Sequence, residues 1–166
     1  MSIYKRFCRE HFDESGNLTE IKFEYGDNFN FGYDVVDAIA DETPDKTAIV
    51  WCNTENSERI MSFADLRKES NKVANVFRTS GLKKGDCVMV ILKRHLEYWI
   101  VAIALHKLGI TMIPATHMLT VHDLESAVEA FYSVGKQLGR FVHIHADLLS
   151  HASGIKLAKH IKLRLS

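Results

Sequence analysis

The sequence lacks the features that would place it outside ordinary globular proteins. No apolar run is long enough to span a bilayer, and the N-terminus is charged from Lys5 onward, without an apolar core of signal-peptide length. There is no internal repeat, no low-complexity tract and no linker rich in glycine or serine. The 46% of hydrophobic and 25% of charged residues argue against disorder. We therefore expect one globular domain, or part of a larger one, in the cytoplasm.

The sequence also lacks an excess of charge and a set of paired cysteines. It has 21 basic and 21 acidic side chains, so its net charge gives no case for binding nucleic acid or an anionic membrane. Cys8, Cys52 and Cys87 are odd in number and far apart, and two of them lie in apolar, strand-like runs. We interpret all three as reduced packing residues.

Residues 81–116 have the pattern of a complete strand-helix-strand unit. Residues 87–92 are apolar without interruption, which is typical of a strand buried on both faces. The helix predicted at 95–108 has so few charges that it must be largely buried, with Trp99 among its buried side chains. The second strand, at 110–113, completes the unit, and the simplest geometry is a right-handed parallel crossover.

The first residues give a weaker pattern. Residues 1–28 mix charged and aromatic side chains without a clear period, so we interpret them as an irregular arm. A helix through 33–40 can begin at Asn30 or Gly32 and has acidic residues in its early turns.

A hairpin and a capped helix follow. Residues 47–52 and 59–63 are strand-like and separated by a polar loop, which predicts an antiparallel hairpin. Ser62 and Asp65 have the spacing of a capping box, which opens a helix that runs to about Ser80.

Four segments stand in the order and at the spacing of motifs in the adenylate-forming, or AMP-binding, superfamily. They are ETPDKTAI at 42–49, MSFADL at 61–66, GLKKGDCV at 81–88 and KLGITMIP at 107–114. They resemble the family's P-D-K-x-A-I/L, x-[ST]-[YF]-x-[ED]-L, G-[VIL]-x-x-G-D-x-V and K-x-G-x-x-x-[VI]-P patterns, respectively. The resemblance begins at Phe29 and ends at Leu124. It implies an α/β fold. The chain would form part of an N-terminal subdomain that contains the parallel strand-helix-strand unit and the antiparallel hairpin.

Three further segments narrow the resemblance to one branch of the superfamily. FNFGYDVVD at 29–37, LKR at 92–94 and PATHML at 114–119 are most similar to enzymes that activate acetate, medium-chain and aromatic carboxylates as coenzyme A thioesters. The resemblance implies that the parent enzyme joins ATP and a small carboxylate into an acyl-adenylate, releases pyrophosphate and transfers the acyl group to coenzyme A. Mg²⁺ would accompany the ATP.

The resemblance implies a fragment rather than a whole enzyme. The family continues with a helix rich in isoleucine and alanine, a strand and a phosphate loop ending in Pro-Lys, whereas residues 125–166 contain none of these and are interpreted as a non-family tail. We expect this chain alone to be inactive and to need no cofactor. Truncation would expose apolar side chains such as Trp99 and Ile103 and favour self-association. A non-catalytic interaction module is the alternative.

The loops after the two parallel strands contain the candidate cleft residues. Open α/β sheets bind ligands beyond the carboxyl ends of their strands, where Lys93, Arg94 and His95 follow the first strand, and Thr116 and His117 the second. The family resemblance places the second loop near the acyl or nucleotide cleft. We take Arg94, Thr116 and His117 as candidates and predict no catalytic residue. The alternative for the first loop is a solvated turn, with His95 capping the helix.

The segment TSGLKKG at 79–85 has the composition of a phosphate loop. However, it follows a helix and precedes a strand, and the carbonyl end of a helix repels phosphate. We interpret it as the turn that ends the helix.

The last part of the chain predicts a helix, a strand and a histidine cluster. Thr120 with Asp123 offers a helix start, and 141–145 is strand-like. His143, His145, Asp147 and His151 form the pattern H-x-H-x-D-x-x-x-H, and imidazoles two residues apart on a strand share a face. The pattern lacks a histidine directly after the aspartate, so we predict no metal. A small metal-binding protein is the third functional alternative.

Overall fold

The computed structural model describes residues 3–93 and 95–120, single positions and pairs between 122 and 137, and the backbone of 142–146. The chain divides into two compact units, Met1–Glu69 and Ser70–Ser166.

The first unit begins with a hairpin that we did not expect. After a 3₁₀ helix, Ile3–Arg6, strands β1, Cys8–Phe12, and β2, Leu18–Phe23, pair in antiparallel fashion. The irregular arm predicted at 1–28 is therefore wrong over these strands. All six residues of β2 are exposed, so neither face imposes the alternation by which a half-buried strand is recognised.

The next helix begins where the sequence predicted. The Asn30 side chain accepts hydrogen bonds from the Gly32 and Tyr33 amides, and the Asp34 carboxylate accepts one from the Asn30 amide at 2.6 Å. This reciprocal cap starts a π-helix, Phe31–Asp37, which continues into α1, Ala38–Glu42.

The predicted hairpin and capped helix are both present. Strand β3, Thr47–Cys52, pairs antiparallel with β4, Glu58–Ser62, and helix α2 covers Phe63–Thr79. The Ser62 hydroxyl donates to the Asp65 carboxylate at 2.8 Å and accepts the Asp65 amide at 3.1 Å. The capping box therefore forms with aspartate in the position that glutamate usually holds.

In the second unit, a glycine turn joins α2 to β5, Cys87–Ile91. The Leu82 amide donates to the Phe77 carbonyl and the Gly81 amide to the Arg78 carbonyl, with Gly81 at φ 92°. This is the hydrogen-bond pattern of a Schellman motif. Leu82 and Phe77 are both buried in the core.

Helix α3, Glu97–Leu108, packs into the same core but is not buried on every side. Val101, Ala104 and Leu105 join the core cluster, and Ile103 is also buried. Trp99 is 54% exposed, so its predicted burial is wrong and the exposure expected on truncation is present. The exposure expected of Ile103 is wrong, since it is 8% exposed. Trp99 and the exposed His106 are seven residues apart and share one stripe of the helix, which faces solvent.

The sheet of the second unit is parallel, as predicted. β5 pairs with β6, Thr111–Pro114, on one side and with β7, Val142–Ala146, on the other, in the order β6-β5-β7. Residues 88–91 of β5 are all buried, which agrees with a strand covered on both faces.

The described positions between 122 and 137 are helical. The predicted helix start is present, since the Thr120 hydroxyl donates to the Asp123 carboxylate at 2.7 Å. No helix in the described part of the chain is long and apolar enough to cross a bilayer.

Candidate functional site

The candidate site lies at the carboxyl edge of the parallel sheet. Val90 of β5 is in register with Pro114 of β6, and the Ala115 amide extends the ladder by donating to the Val90 carbonyl at 3.0 Å. Ile91 is in register with Ala146, the last residue of β7. All three strands therefore end at one edge, and the loops that follow β5 and β6 leave the sheet there.

The loop after β5 turns back tightly before α3 begins. The His95 amide donates to the Lys93 carbonyl at 2.7 Å, and the Tyr98 amide donates to the His95 carbonyl at 3.2 Å. Leu96 is buried and precedes the helix without a side-chain cap, so the alternative in which His95 caps α3 is wrong. Lys93 is exposed.

The His95 side chain has an unusual environment. Its Nε2 atom is shielded from solvent and has no hydrogen-bond partner among the described residues, which do not include the neighbouring Arg94. Buried polar atoms in folded proteins nearly always have a partner. We therefore expect this nitrogen to bond a group outside the described residues.

Two of the three candidate residues lie in the loop after β6. Thr116 and His117 are both exposed, and the Thr116 hydroxyl accepts the Met118 amide at 3.2 Å. This bond closes a local turn, so the Thr116 side chain is held at the edge of the sheet. The third candidate, Arg94, lies outside the described residues.

The topology thus places Lys93 and His95 at the same sheet edge as Thr116 and His117. The two loops offer imidazole, ammonium and hydroxyl groups, which suit an anionic ligand such as a phosphate or a carboxylate. Among the described residues, no group of three His, Cys, Asp or Glu side chains could hold a metal ion.

The segment at 79–85 is the end of a helix, as the sequence predicted. Gly85 has φ 91°, and its amide donates to the Gly109 carbonyl at 3.0 Å. The Asp86 carboxylate accepts the Lys83 amide at 2.8 Å. These bonds hold the turn against the end of α3 and leave no row of free amides of the kind that cradles phosphate.

The terminal histidine pattern is only partly described. His143 and His145 lie on β7, in register with Val88 and Val90. Asp147 and His151 are outside the described residues.

Lys107 is a feature that sequence reasoning missed. It lies in the last turn of α3, is only 5% exposed and donates from its Nζ to Asn71 Oδ1 at 2.7 Å. The two residues are 36 positions apart, and no local pattern connects them. The contact depends on the tertiary fold, which brings Asn71 of α2 next to Lys107 of α3.

Comparison with known proteins gives a family. A sequence model described as AMP-binding enzyme matches residues 36–132, more than half of the 166-residue chain. The match extends beyond Leu124, into the segment that we interpreted as a non-family tail.

Curated relatives are enzymes several times longer than this chain. Human mitochondrial acyl-coenzyme A synthetase ACSM5 is 38% identical over 108 residues, which cover 61% of this chain and 19% of that protein. The 4-hydroxybutyrate–CoA ligase 1 of Metallosphaera sedula is 36% identical over 99 residues, covering 58% and 18%, respectively. The chain spans about a fifth of the length of these relatives.

Solved structures show the same fold. The N-terminal subdomain of Klebsiella oxytoca NpsA matches with a TM-score of 0.57 at 23% identity, over 70% of this chain and 27% of that one. McyG A-PCP complexed with phenylalanyl-adenylate matches with a TM-score of 0.61 at 22% identity, over 84% and 22%. The fold is that of part of an adenylate-forming N-terminal subdomain, and the match over residues 36–132 shows that the chain belongs to the AMP-binding enzyme family.

Proposed function

We propose that this chain forms the first part of the N-terminal domain of an acyl-CoA synthetase. The complete enzyme would join ATP and a small carboxylate into an acyl-adenylate, release pyrophosphate and then transfer the acyl group to coenzyme A. The observation that carries the proposal is the parallel β5-α3-β6 unit within a chain whose curated relatives are named acyl-CoA synthetases and CoA ligases.

The sheet edge is the part of this chain that would face the cleft. His117 and Thr116 are exposed there, and the His95 imidazole lacks a described partner. We assign these groups, together with Arg94, to binding and orientation of an anionic part of a substrate. No described group of side chains fits Mg²⁺, so we assign the metal no ligands in this part of the chain.

We also propose that the 166 residues alone form no thioester. Phosphoryl chemistry depends on donors placed around the phosphates, and this sequence has no glycine-rich loop ending in Pro-Lys. The test is pyrophosphate release from ATP, Mg²⁺ and butyrate or benzoate, with and without coenzyme A. Release above a heat-killed control would contradict this part of the proposal, whereas weak nucleotide binding would not.

A chimera gives the positive test. Human ACSM5, with its matching segment replaced by residues 36–120 of this chain, should still form acyl-CoA. His117→Ala in the chimera should raise KM for the acid or for ATP, while the matched His106→Ala, on the solvent-facing stripe of α3, should not. A folded chimera without thioester formation would contradict the proposal.

A further inference from the structure

The outer edge of β2 is free among the described residues. The sheet that contains it has only two strands, β1 and β2. Ile21 is 45% exposed and Phe23 is 67% exposed, and every residue of the two strands except the half-buried Cys8 is exposed. An exposed strand edge presents unpaired amides and carbonyls that another strand can use.

The pairing with β1 fixes which backbone groups point to this edge. Glu24 lies opposite Phe7 and donates its amide proton to the Phe7 carbonyl at 2.8 Å. Successive antiparallel pairs alternate between hydrogen-bonded and non-hydrogen-bonded. Lys22 therefore directs its N–H and C=O towards β1, whereas Ile21 and Phe23 direct theirs towards the free edge.

The side chains beside Ile21 make this edge complementary to itself. Glu20 precedes Ile21 and Lys22 follows it, so a second β2 strand laid antiparallel about Ile21 brings each Glu20 opposite a Lys22 of the other copy. The two Ile21 residues then form a hydrogen-bonded pair. The two Glu20–Lys22 positions are non-hydrogen-bonded pairs, in which side chains approach most closely.

We propose that β2 is a dimerisation edge, at which a second copy of this chain adds its own β2 to form a four-stranded sheet around a twofold axis through Ile21. A symmetric interface of this kind uses the same patch on both copies. In the single chain, Lys22 Nζ lies 3.6 Å from Glu20 Oε2 of its own strand, so the two charges share one face of β2.

The other edge of the hairpin does not offer the same match. By the same alternation, β1 directs the backbone groups of Cys8 and Glu10 outward, and a symmetric pairing about Glu10 would set two carboxylates opposite each other. A β-bulge between His11 and Phe12 interrupts the ladder towards the turn. The regular stretch of β2 from Glu20 to Phe23 is therefore the part that can pair.

Charge exchange tests the proposal on the full chain. Sedimentation velocity over a concentration series should show a monomer–dimer equilibrium for the native sequence. Glu20→Lys or Lys22→Glu places like charges opposite each other at both positions, and each should weaken dimerisation about tenfold or more. The double variant E20K/K22E restores opposite charges and should recover the native affinity.

Mixing the two single variants tests whether opposite charges on different copies restore dimerisation. One carries lysine at both positions and the other glutamate at both, so the mixture should dimerise although neither variant does so alone. Glu55→Lys, an exposed loop substitution, is the matched control and should leave the affinity unchanged.

Circular dichroism identifies any variant that has not folded. Among folded variants, the double variant and the mixture show whether the loss of dimerisation comes from like charges at the β2 edge. A native chain that stays monomeric would overturn the proposal. So would dimers that neither single variant weakens, or single-variant defects that the double variant and the mixture fail to reverse.

Discussion

Gly109 carries two separate constraints at the end of α3. It has φ 65°, and a Cβ atom built on it would lie 2.9 Å from Lys84 Cγ. A left-handed backbone costs a residue with a Cβ roughly 1–2 kcal/mol, and the close approach adds to this cost. The Gly109 and Ile110 amides donate to the His106 and Leu105 carbonyls, so the turn that begins β6 depends on this conformation.

We therefore predict that Gly109→Ala lowers the free energy of unfolding by about 1–3 kcal/mol. Gly81→Ala, with φ 92° but nothing within 4 Å of the added Cβ, should show the backbone cost alone. Gly26→Ala has neither constraint and is the control. Urea unfolding of the three variants is the measurement, and an equal effect at all three positions would contradict the argument.

The capping box of α2 predicts a pH dependence. The Ser62 hydroxyl, followed by the Ser62 amide, lowers the pKa of Asp65 below its ordinary value of 3.8. A lowered carboxyl pKa stabilises the fold above the unfolded pKa, and the contribution is lost as pH falls through the folded pKa. Ser62→Ala should destabilise the chain by about 1 kcal/mol at neutral pH.

The difference between Ser62→Ala and the native chain should shrink as pH falls from 3.8 through the lowered pKa of the native Asp65, because below that pKa the carboxyl is protonated in both proteins. Ser57→Ala, in the exposed β3–β4 loop, is the matched control. Thermal melts across pH measure the effect, and NMR titration of Asp65 should show a higher pKa in the variant. A difference that stays constant through the acid range would argue against the cap.

At the residue scale, local interactions could be predicted and distant ones could not. The capping residues Asn30, Ser62 and Thr120 and the turn at Gly81 involve partners within a few positions, so spacing reveals them. The shielded His95 nitrogen depends on residues brought together by the tertiary fold. The spacing of residues along the chain does not predict which of them shield His95.

Helix α3 separates burial from hydrophobicity. Trp99 is a large apolar residue in its first turn, yet it is exposed, whereas Leu105 is completely buried in the cluster shared with α2 and β5. The composition of the helix does not distinguish the two positions. Only the stripe that Trp99 shares with His106 marks it as a solvent-facing residue.

Leu105→Ala should therefore lower the free energy of unfolding by about 2–5 kcal/mol, since it leaves a cavity in the core. Trp99→Ala should lower it by less than about 1 kcal/mol, because about half of the Trp99 residue is already exposed to solvent and the variant loses mainly the edge contact with Tyr98. Chemical denaturation compares the two. A larger loss at Trp99 than at Leu105 would show that the indole is covered in solution.

At the element scale, the predictable parts are those with a buried side. The parallel unit, the β3–β4 hairpin and α2 all have faces that enter a core, which imposes apolar runs or periodic stripes on the sequence. The β1–β2 hairpin has no such face among the described residues, and its pattern is correspondingly mixed.

At the scale of the whole molecule, the two units should differ in local stability. The cluster of Ser70–Ser166 contains β5, with Val88 and Val90 almost wholly buried, and the core side of α3. The strands of Met1–Glu69 are in two-stranded sheets, and a hairpin without further cover is marginally stable in water. Exposed apolar residues such as Phe23 and Ile60 remain in contact with water, so their exposed surface gives folding no hydrophobic stabilisation.

Hydrogen exchange followed by mass spectrometry should therefore show slow exchange in the peptides that cover Val88–Val90 of β5 and Leu105 of α3. The peptides that cover β1 and β2 should exchange fast. The slow amides open only with much of the core, whereas those of the hairpin open locally. The measurement belongs at low protein concentration, since the proposed dimer would protect Ile21 and Phe23 as concentration rises. Comparable protection in the hairpin and in β5 of a dilute monomer would contradict this difference, and it would mean that residues outside the described part of the chain cover β1 and β2.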